Sequence, residues 1–180
     1  MPIQRLKIKA NRLPSIPTSK LASGSSFLTS VTSSDLPAGT VVQGFAQQSS
    51  GVSTTAGTTY LDTGSTITMT PKFSNSIIIL NAMLAAEQYS AANTGSRYQF
   101  VRNKNGSDTV IYNSDYDLYH SSQASGNQHI TKVTLVYNEP AVDTTERTYR
   151  IRFSSVTAGG TSRHNNYGDP SVFTILEVKQ

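Results

Sequence analysis

Three stretches of this sequence carry side chains that could do chemistry. The first is Asn113-Ser114-Asp115-Tyr116-Asp117-Leu118-Tyr119-His120, where two carboxylates and an imidazole lie close together. Such donors can take a divalent cation. In an extended segment Asp115 and Asp117 would share one face, and a cation or solvent would relieve their repulsion. The glycine and distal glutamate of an EF-hand loop are missing. The stretch therefore reads first as a polar, tyrosine-rich surface loop, with Asp115, Asp117 and His120 as weak metal candidates and no cofactor expected. Tyr112, Tyr116 and Tyr119 could also form a receptor or glycan platform, since tyrosine supplies contact area with a polar tip. Ordinary core and interface tyrosines would look the same.

The second stretch is Arg163-His164-Asn165-Asn166-Tyr167-Gly168-Asp169. A hydrolytic role for His164 needs a nucleophile beside it and an oxyanion site. Serines are so abundant here that a Ser–His–Asp trio can be drawn anywhere, so the pattern has no specificity. There is no Gly-x-Ser-x-Gly elbow, phosphate loop or His-Glu-x-x-His motif, and no carboxylate pair stands out for glycoside cleavage. The chain has no cysteine, which removes thiol nucleophiles, zinc–thiolate sites and disulfides. The expectation is a protein that is not an enzyme. Asn105-Gly106-Ser107 fits a glycosylation acceptor, but a hairpin turn explains it fully.

The third stretch is the N-terminal region, where Arg5, Lys7, Lys9 and Arg12 are interspersed with Ile3, Leu6, Ile8 and Leu13. Here the cations would pair with acidic groups on a docking surface while the apolar side chains fill pockets. The whole charge surplus sits in this region. Residues 1–38 hold five basic side chains against Asp35, and residues 39–180 hold ten basic and ten acidic ones, so the formal net charge of +4 belongs to the first 38 residues. A body of zero net charge is a poor nucleic-acid binder.

These groups need elements to position them. Pro2, Pro14, Pro17 and Pro37 interrupt regular structure in residues 1–38, and 10 of the 17 residues from 18 to 34 are Ser or Thr. This predicts an extended basic anchoring arm over 1–38 that gains order only against another molecule. It lacks the apolar core of a secretory signal and is expected to belong to the mature protein. No apolar run approaches the ~18–20 residues that span a bilayer, so no membrane insertion is expected. Only 14% of residues are charged, which with frequent Tyr, Thr, Val and Ile disfavours long surface helices.

Strands are predicted near 40–46, 58–62, 65–70, 76–85, 97–103, 108–113, 129–137, 147–154 and 171–178, with 47–59 as a long loop or ragged edge. Period-2 alternation carries several of them. Tyr149, Ile151 and Phe153 oppose Thr148, Arg150 and Arg152, while Val133, Leu135 and Tyr137 oppose Lys132, Thr134 and Val136. Arg150 and Arg152 could form a basic stripe with Lys132, although a solvated sheet face accounts for them. Asn105-Gly106 marks a hairpin. The unbroken Ile77-Ile78-Ile79-Leu80 must be buried on both faces, or on one face and at a subunit contact; a helix over 77–86 is the competing reading. Together these predict an all-β chain, with an antiparallel β-sandwich or jelly-roll-like knob domain over 39–180.

The order of several segments is similar to that in small virion structural proteins of tailed bacteriophages, especially cyanophage-type fibre and capsid-decoration proteins. The segments are Leu36-Pro37-Ala38-Gly39-Thr40-Val41-Val42-Gln43, Thr58-Thr59-Tyr60-Leu61-Asp62-Thr63-Gly64, Ile67-Thr68-Met69-Thr70-Pro71-Lys72, Asn75-Ser76-Ile77-Ile78-Ile79, Tyr98-Gln99-Phe100-Val101-Arg102-Asn103 and Tyr149-Arg150-Ile151-Arg152-Phe153. Leu13-Pro14-Ser15-Ile16-Pro17-Thr18-Ser19-Lys20-Leu21 looks like the linker that precedes fibre domains. The resemblance implies a homotrimeric β-rich knob fixed to the virion by its N-terminus, partnered by itself and by capsid or tail components. Shortness and the lack of a repetitive shaft favour a short tail fibre or a capsid-decorating (cement) protein. Contact with a host surface glycan is the alternative. Synthesis would be in the host cytoplasm.

Overall fold

The computed structural model describes residues 35–89, 94–115, 118–120, 128–165 and 168–180. By internal contacts the chain divides into Met1–Leu36 and Pro37–Gln180. The described residues of the second unit form eleven strands: β1 (Val41–Ser49), β2 (Ser53–Thr55), β3 (Leu61–Met69), β4 (Ser76–Tyr89), β5 (Thr94–Lys104), β6 (Ser107–Asn113), β7 (Leu118–His120), β8 (Gln128–Ala141), β9 (Arg147–Ser155), β10 (Thr161–His164) and β11 (Ser171–Lys179). All pair antiparallel, in two sheets.

The long strands reduce these eleven to eight positions. On one edge β4 pairs with β11 through residues 76–83 and with β10 through 86–89; on the other it pairs with β8 throughout. β1 lies outside β11 and β2 outside β10, so β1/β2 and β10/β11 are each one interrupted strand. β6 and β7 likewise share one edge of β5, whose other edge takes β9 and then β3. Numbered along the chain, the positions run 1-8-3-6 in one sheet and 2-7-4-5 in the other. That is the order of a jelly roll, two Greek keys folded face to face.

Alternation in sequence decides which side of each strand is buried. Tyr149, Ile151 and Phe153 of β9 face the core, as do Phe173 and Ile175 of β11, Ile78, Leu80 and Leu84 of β4, and Tyr98 and Phe100 of β5. Each such side chain contributes roughly 1.5–3 kcal/mol by leaving water. Rings tie the sheets together: Phe100 stacks on Phe173 at 5.8 Å between centroids and touches Tyr112, which in turn touches Tyr137 at 6.0 Å. Asn105 (φ 53°) and Gly106 (φ 78°) form the two-residue β5–β6 turn expected of Asn-Gly, both in the left-handed region.

Three expectations change in detail. The segments predicted separately as 58–62 and 65–70 are one strand, β3, with a register shift between Asp62 and Thr66. Gly64 (φ 83°) makes that bulge, and Thr63 Oγ1 donates to the Ile151 carbonyl at 3.0 Å, so the strand bends without ending. The predicted loop 47–59 contains the end of β1 and all of β2. The stretch 77–86 is strand throughout, so the helical reading is replaced.

Candidate assembly surface

Buried charges first fix the frame. Glu177, fully buried on the inner side of β11, accepts from Gln43 Nε2 at 2.6 Å, Ser76 Oγ at 2.6 Å, Lys72 N at 2.9 Å and Phe73 N at 3.1 Å. One carboxylate thereby holds the β3–β4 connection. Glu139 of β8 accepts from Tyr149 Oη at 2.5 Å and pairs with Arg102, tying one sheet to the other. Burial and the neighbouring Glu139 carboxylate push the Tyr149 phenol well above its ordinary range. Arg147 pairs with Asp143 at 2.8 Å, and Lys104 binds the same carboxylate; the Lys104 hydrogen bond and the Thr145 amide hold Asp143 well below the ordinary carboxylate range.

The two outer faces differ. On the β3–β9–β5–β6 sheet, Arg152 Nε reaches Asp62 at 2.9 Å and Arg152 Nη2 reaches Asp108 at 3.1 Å, while Arg150 also pairs with Asp108. Asn103 donates to Asp108 at 2.6 Å. This is a charge-balanced network, not a basic stripe. Lys132 lies on β8 in the other sheet, beside Asp169 at 3.4 Å.

The β1–β11–β4–β8 sheet presents a different outer face. Strand register places Val178, Ile77 and Pro140 in one row, Gly44, Leu176, Ile79 and Asn138 in the next, then Ala46, Thr174, Asn81 and Val136, then Gln48, Val172, Met83 and Thr134. No charged side chain stands in these four rows. Val136 is 57% exposed, Met83 43% and Leu176 39%. At Gly44 a Cβ would meet Leu176 Cδ2 at 3.0 Å, so the glycine leaves room for that side chain to lie across β1. The isoleucine run of β4 is thereby explained: Ile78 and Leu80 enter the core, while Ile77 and Ile79 belong to this outer face.

His164 is fully buried, its ring 6.3 Å from that of Tyr98 and 5.9 Å from that of Phe153. Neither ring nitrogen has a hydrogen-bond partner among the described residues. Burial, with a smaller push from Lys132, lowers its pKa to about 4. Nearby, Gln88 Oε1 accepts from Ser162 Oγ at 2.8 Å and Ser96 Oγ at 3.1 Å, forming a small buried polar cluster. His164 is a core residue. At the junction that interrupts two strands, Asn165 (φ 59°) donates to Ser49 Oγ and the Gly51 carbonyl, each at 3.2 Å, and accepts from Ser171.

The other sequence candidates scatter. Tyr112 is half-buried in the aromatic chain. Asp115 is exposed. Tyr116 and Asp117 lie outside the described residues. Tyr119 and His120 are placed by backbone alone, on β7 opposite Gly95 and Thr94. The arm residues Ile3, Arg5, Leu6, Lys7, Ile8, Lys9, Arg12 and Leu13 lie outside the described residues. Among the described residues no group of three His, Asp or Glu stands in metal-holding geometry, and no helix is long and apolar enough to cross a membrane. Sequence reasoning missed the uncharged face as a unit. Its signal was the outward series Val172, Thr174, Leu176, Val178, aliphatic or uncharged where a solvated strand would carry charge.

No protein-family model matches the sequence, and no curated protein matches it. Among solved structures, the chain overlaps one described as infectious bursal disease virus, Gx strain, at TM-score 0.37 and 9% identity, covering 77% of this chain and 39% of that one. The VP2 subviral particle of the same virus gives TM-score 0.37 and 10% identity over 77% and 38%. Dimeric latent PorU from Porphyromonas gingivalis gives 0.32 and 8% over 79% and 14%. The chain thus spans about two fifths of the viral chains and a seventh of PorU. The strand order, not these overlaps, defines the fold.

Proposed function

We propose that the chain is a non-enzymatic structural protein of a virus particle: a homotrimeric surface knob, held to the capsid or tail by its N-terminal arm. The observation that carries this is the partition of charge. A jelly-roll body of zero net charge follows a 38-residue segment that holds the entire surplus of +4. The jelly roll is an architecture shared by viral capsid and lectin domains, which supports the reading by analogy only. The order of segments shared with tailed-phage virion proteins favours the particle surface. Most of the body's charges are paired locally, so steering towards an acidic docking site falls to Arg5, Lys7, Lys9 and Arg12.

The test is particle incorporation. Replacing those four cations with Glu in the full chain, or deleting residues 1–38, should abolish attachment while the β-sheet circular-dichroism spectrum persists. Normal incorporation of either variant sinks the anchoring role. Glycan binding through Tyr112, Tyr116 and Tyr119 is the second reading, favoured by the lectin precedent for the architecture; it expects carbohydrate affinity that survives arm deletion and weakens with Tyr119→Ala.

A further inference from the structure

The structure assigns the uncharged outer face of the β1–β11–β4–β8 sheet to contact with a second copy of this chain. This deepens the self-association half of the proposed function and is independent of how the arm attaches. Charge is the first reason. In a closed symmetric assembly, residues near the axis approach their own copies, so any charge on a face turned to the axis meets like charge. The face around Asn81, Met83, Val136 and Leu176 avoids that cost because its rows hold no charge. The opposite outer face, with Asp62, Asp108, Arg150 and Arg152, holds charges that prefer water.

Size agrees. Four strands ~4.8 Å apart and four rows of alternating residues span about 19 by 25 Å, on the order of 500 Å². Gln48, Asn81, Thr134, Asn138 and Thr174 share this area with the aliphatic side chains, so the face is uncharged and only partly apolar. Two such faces together give about 1,000 Å², the lower bound for a specific interface. A nucleic acid or an acidic protein finds no cation in these four rows, and Lys132, which borders them on β8, is paired with Asp169 at 3.4 Å. A second copy finds a surface of its own kind, and aliphatic area on both sides leaves water.

The full-length chain, measured by sedimentation and light scattering from about 1 to 100 µM, should have a mass that is a multiple of 19.4 kDa. Val136→Lys should weaken the association at least ~10-fold while leaving the thermal midpoint of the body within a few degrees. Val110→Lys, on the other sheet at a comparably exposed site (48% against 57% for Val136), should leave the mass unchanged. Should Val136→Lys fail to fold, Asn81→Asp, exposed in the same row, takes its place. A wild-type monomer throughout, an assembled Val136→Lys, or a Val110→Lys that dissociates equally overturns the assignment. Arm variants that assemble normally yet miss the particle leave it intact, so the two failures are told apart.

Discussion

One separable part of the body's acid sensitivity should come from His164. The imidazole is fully buried between the rings of Tyr98 and Phe153, with neither nitrogen hydrogen-bonded among the described residues. Charging it there costs solvation, and Lys132 adds a repulsive field, so its pKa falls from 6.5 to about 4. The unfolded chain takes the proton near 6.5 and the folded chain resists it to about 4. Between those values the unfolded state binds more protons. The contribution is therefore present in full above 6.5, declines as pH falls through the window, and levels off below about 4. The gap corresponds to about 3 kcal/mol once complete and about 2 kcal/mol at pH 5, which lowers the thermal midpoint by roughly 4–8 °C.

Carboxylates also titrate on acidification, so the informative quantity is a difference. His164→Phe keeps a ring of similar size against Tyr98 and Phe153 and removes both nitrogens. Urea unfolding followed by circular dichroism at pH 7 and pH 5 should show the wild type losing about 2 kcal/mol more than His164→Phe over that interval. Equal losses in the two proteins would refute the reasoning, because they would assign the whole pH dependence to other groups.

Substitutions at two further positions test the local supports. Glu177→Ala strands the Lys72 and Phe73 amides, while Gln43 Nε2 keeps the Thr70 carbonyl and Ser76 Oγ the Phe73 carbonyl, and should cost about 1–3 kcal/mol; a shift in the urea midpoint worth less than about 1 kcal/mol speaks against a staple, and protease cleavage within 70–75 should accelerate. At Asn165, Gly preserves the left-handed backbone but loses the side-chain bonds, whereas Ala loses both. Melting should therefore rank wild type, Asn165→Gly, Asn165→Ala, the last step costing about 1 kcal/mol, and an Ala variant as stable as Gly contradicts the strain.

The sheet core was legible because two-residue alternation survives in β9, β8 and β5, where Tyr149, Ile151, Phe153, Val133, Leu135, Tyr98 and Phe100 all fall on the predicted inner side. Asn105-Gly106 was legible for a chemical reason, since few other pairs take left-handed φ twice running. β2, β7 and β10 were not, because strands of three or four residues have no period to read and exist only by completing interrupted positions beside β10, β5 and β4. The β3 bulge was read as a gap between two strands, since Thr63-Gly64-Ser65 has a turn's composition while its bonding to β9 is tertiary. Glu177 breaks the inward series begun by Phe173 and Ile175, and a lone carboxylate there has meaning only once the β3–β4 amides are seen to converge on it. The separation of Lys132 from Arg150 and Arg152 is likewise topological, because no sequence spacing tells which sheet a strand joins.

The distribution of charge links these observations to the function. Neutrality of the body is local as well as net: Asp62 and Asp108 meet Arg150 and Arg152, Glu139 meets Arg102, Asp143 meets Lys104 and Arg147, Glu87 meets Arg163, and Asp169 meets Lys132. Paired charges at these separations leave little field beyond a Debye length, about 8–10 Å at physiological salt. The body can then select partners chiefly through shape and apolar contact, for which the outer face of β1, β11, β4 and β8 offers an uncharged surface. Long-range attraction is left to the arm, whose cations have no comparable excess of acid within the first 38 residues. Two forces of different range are thus carried by two separate parts of the chain, which is why substitutions in the arm and on the β4 face should change attachment and self-association independently.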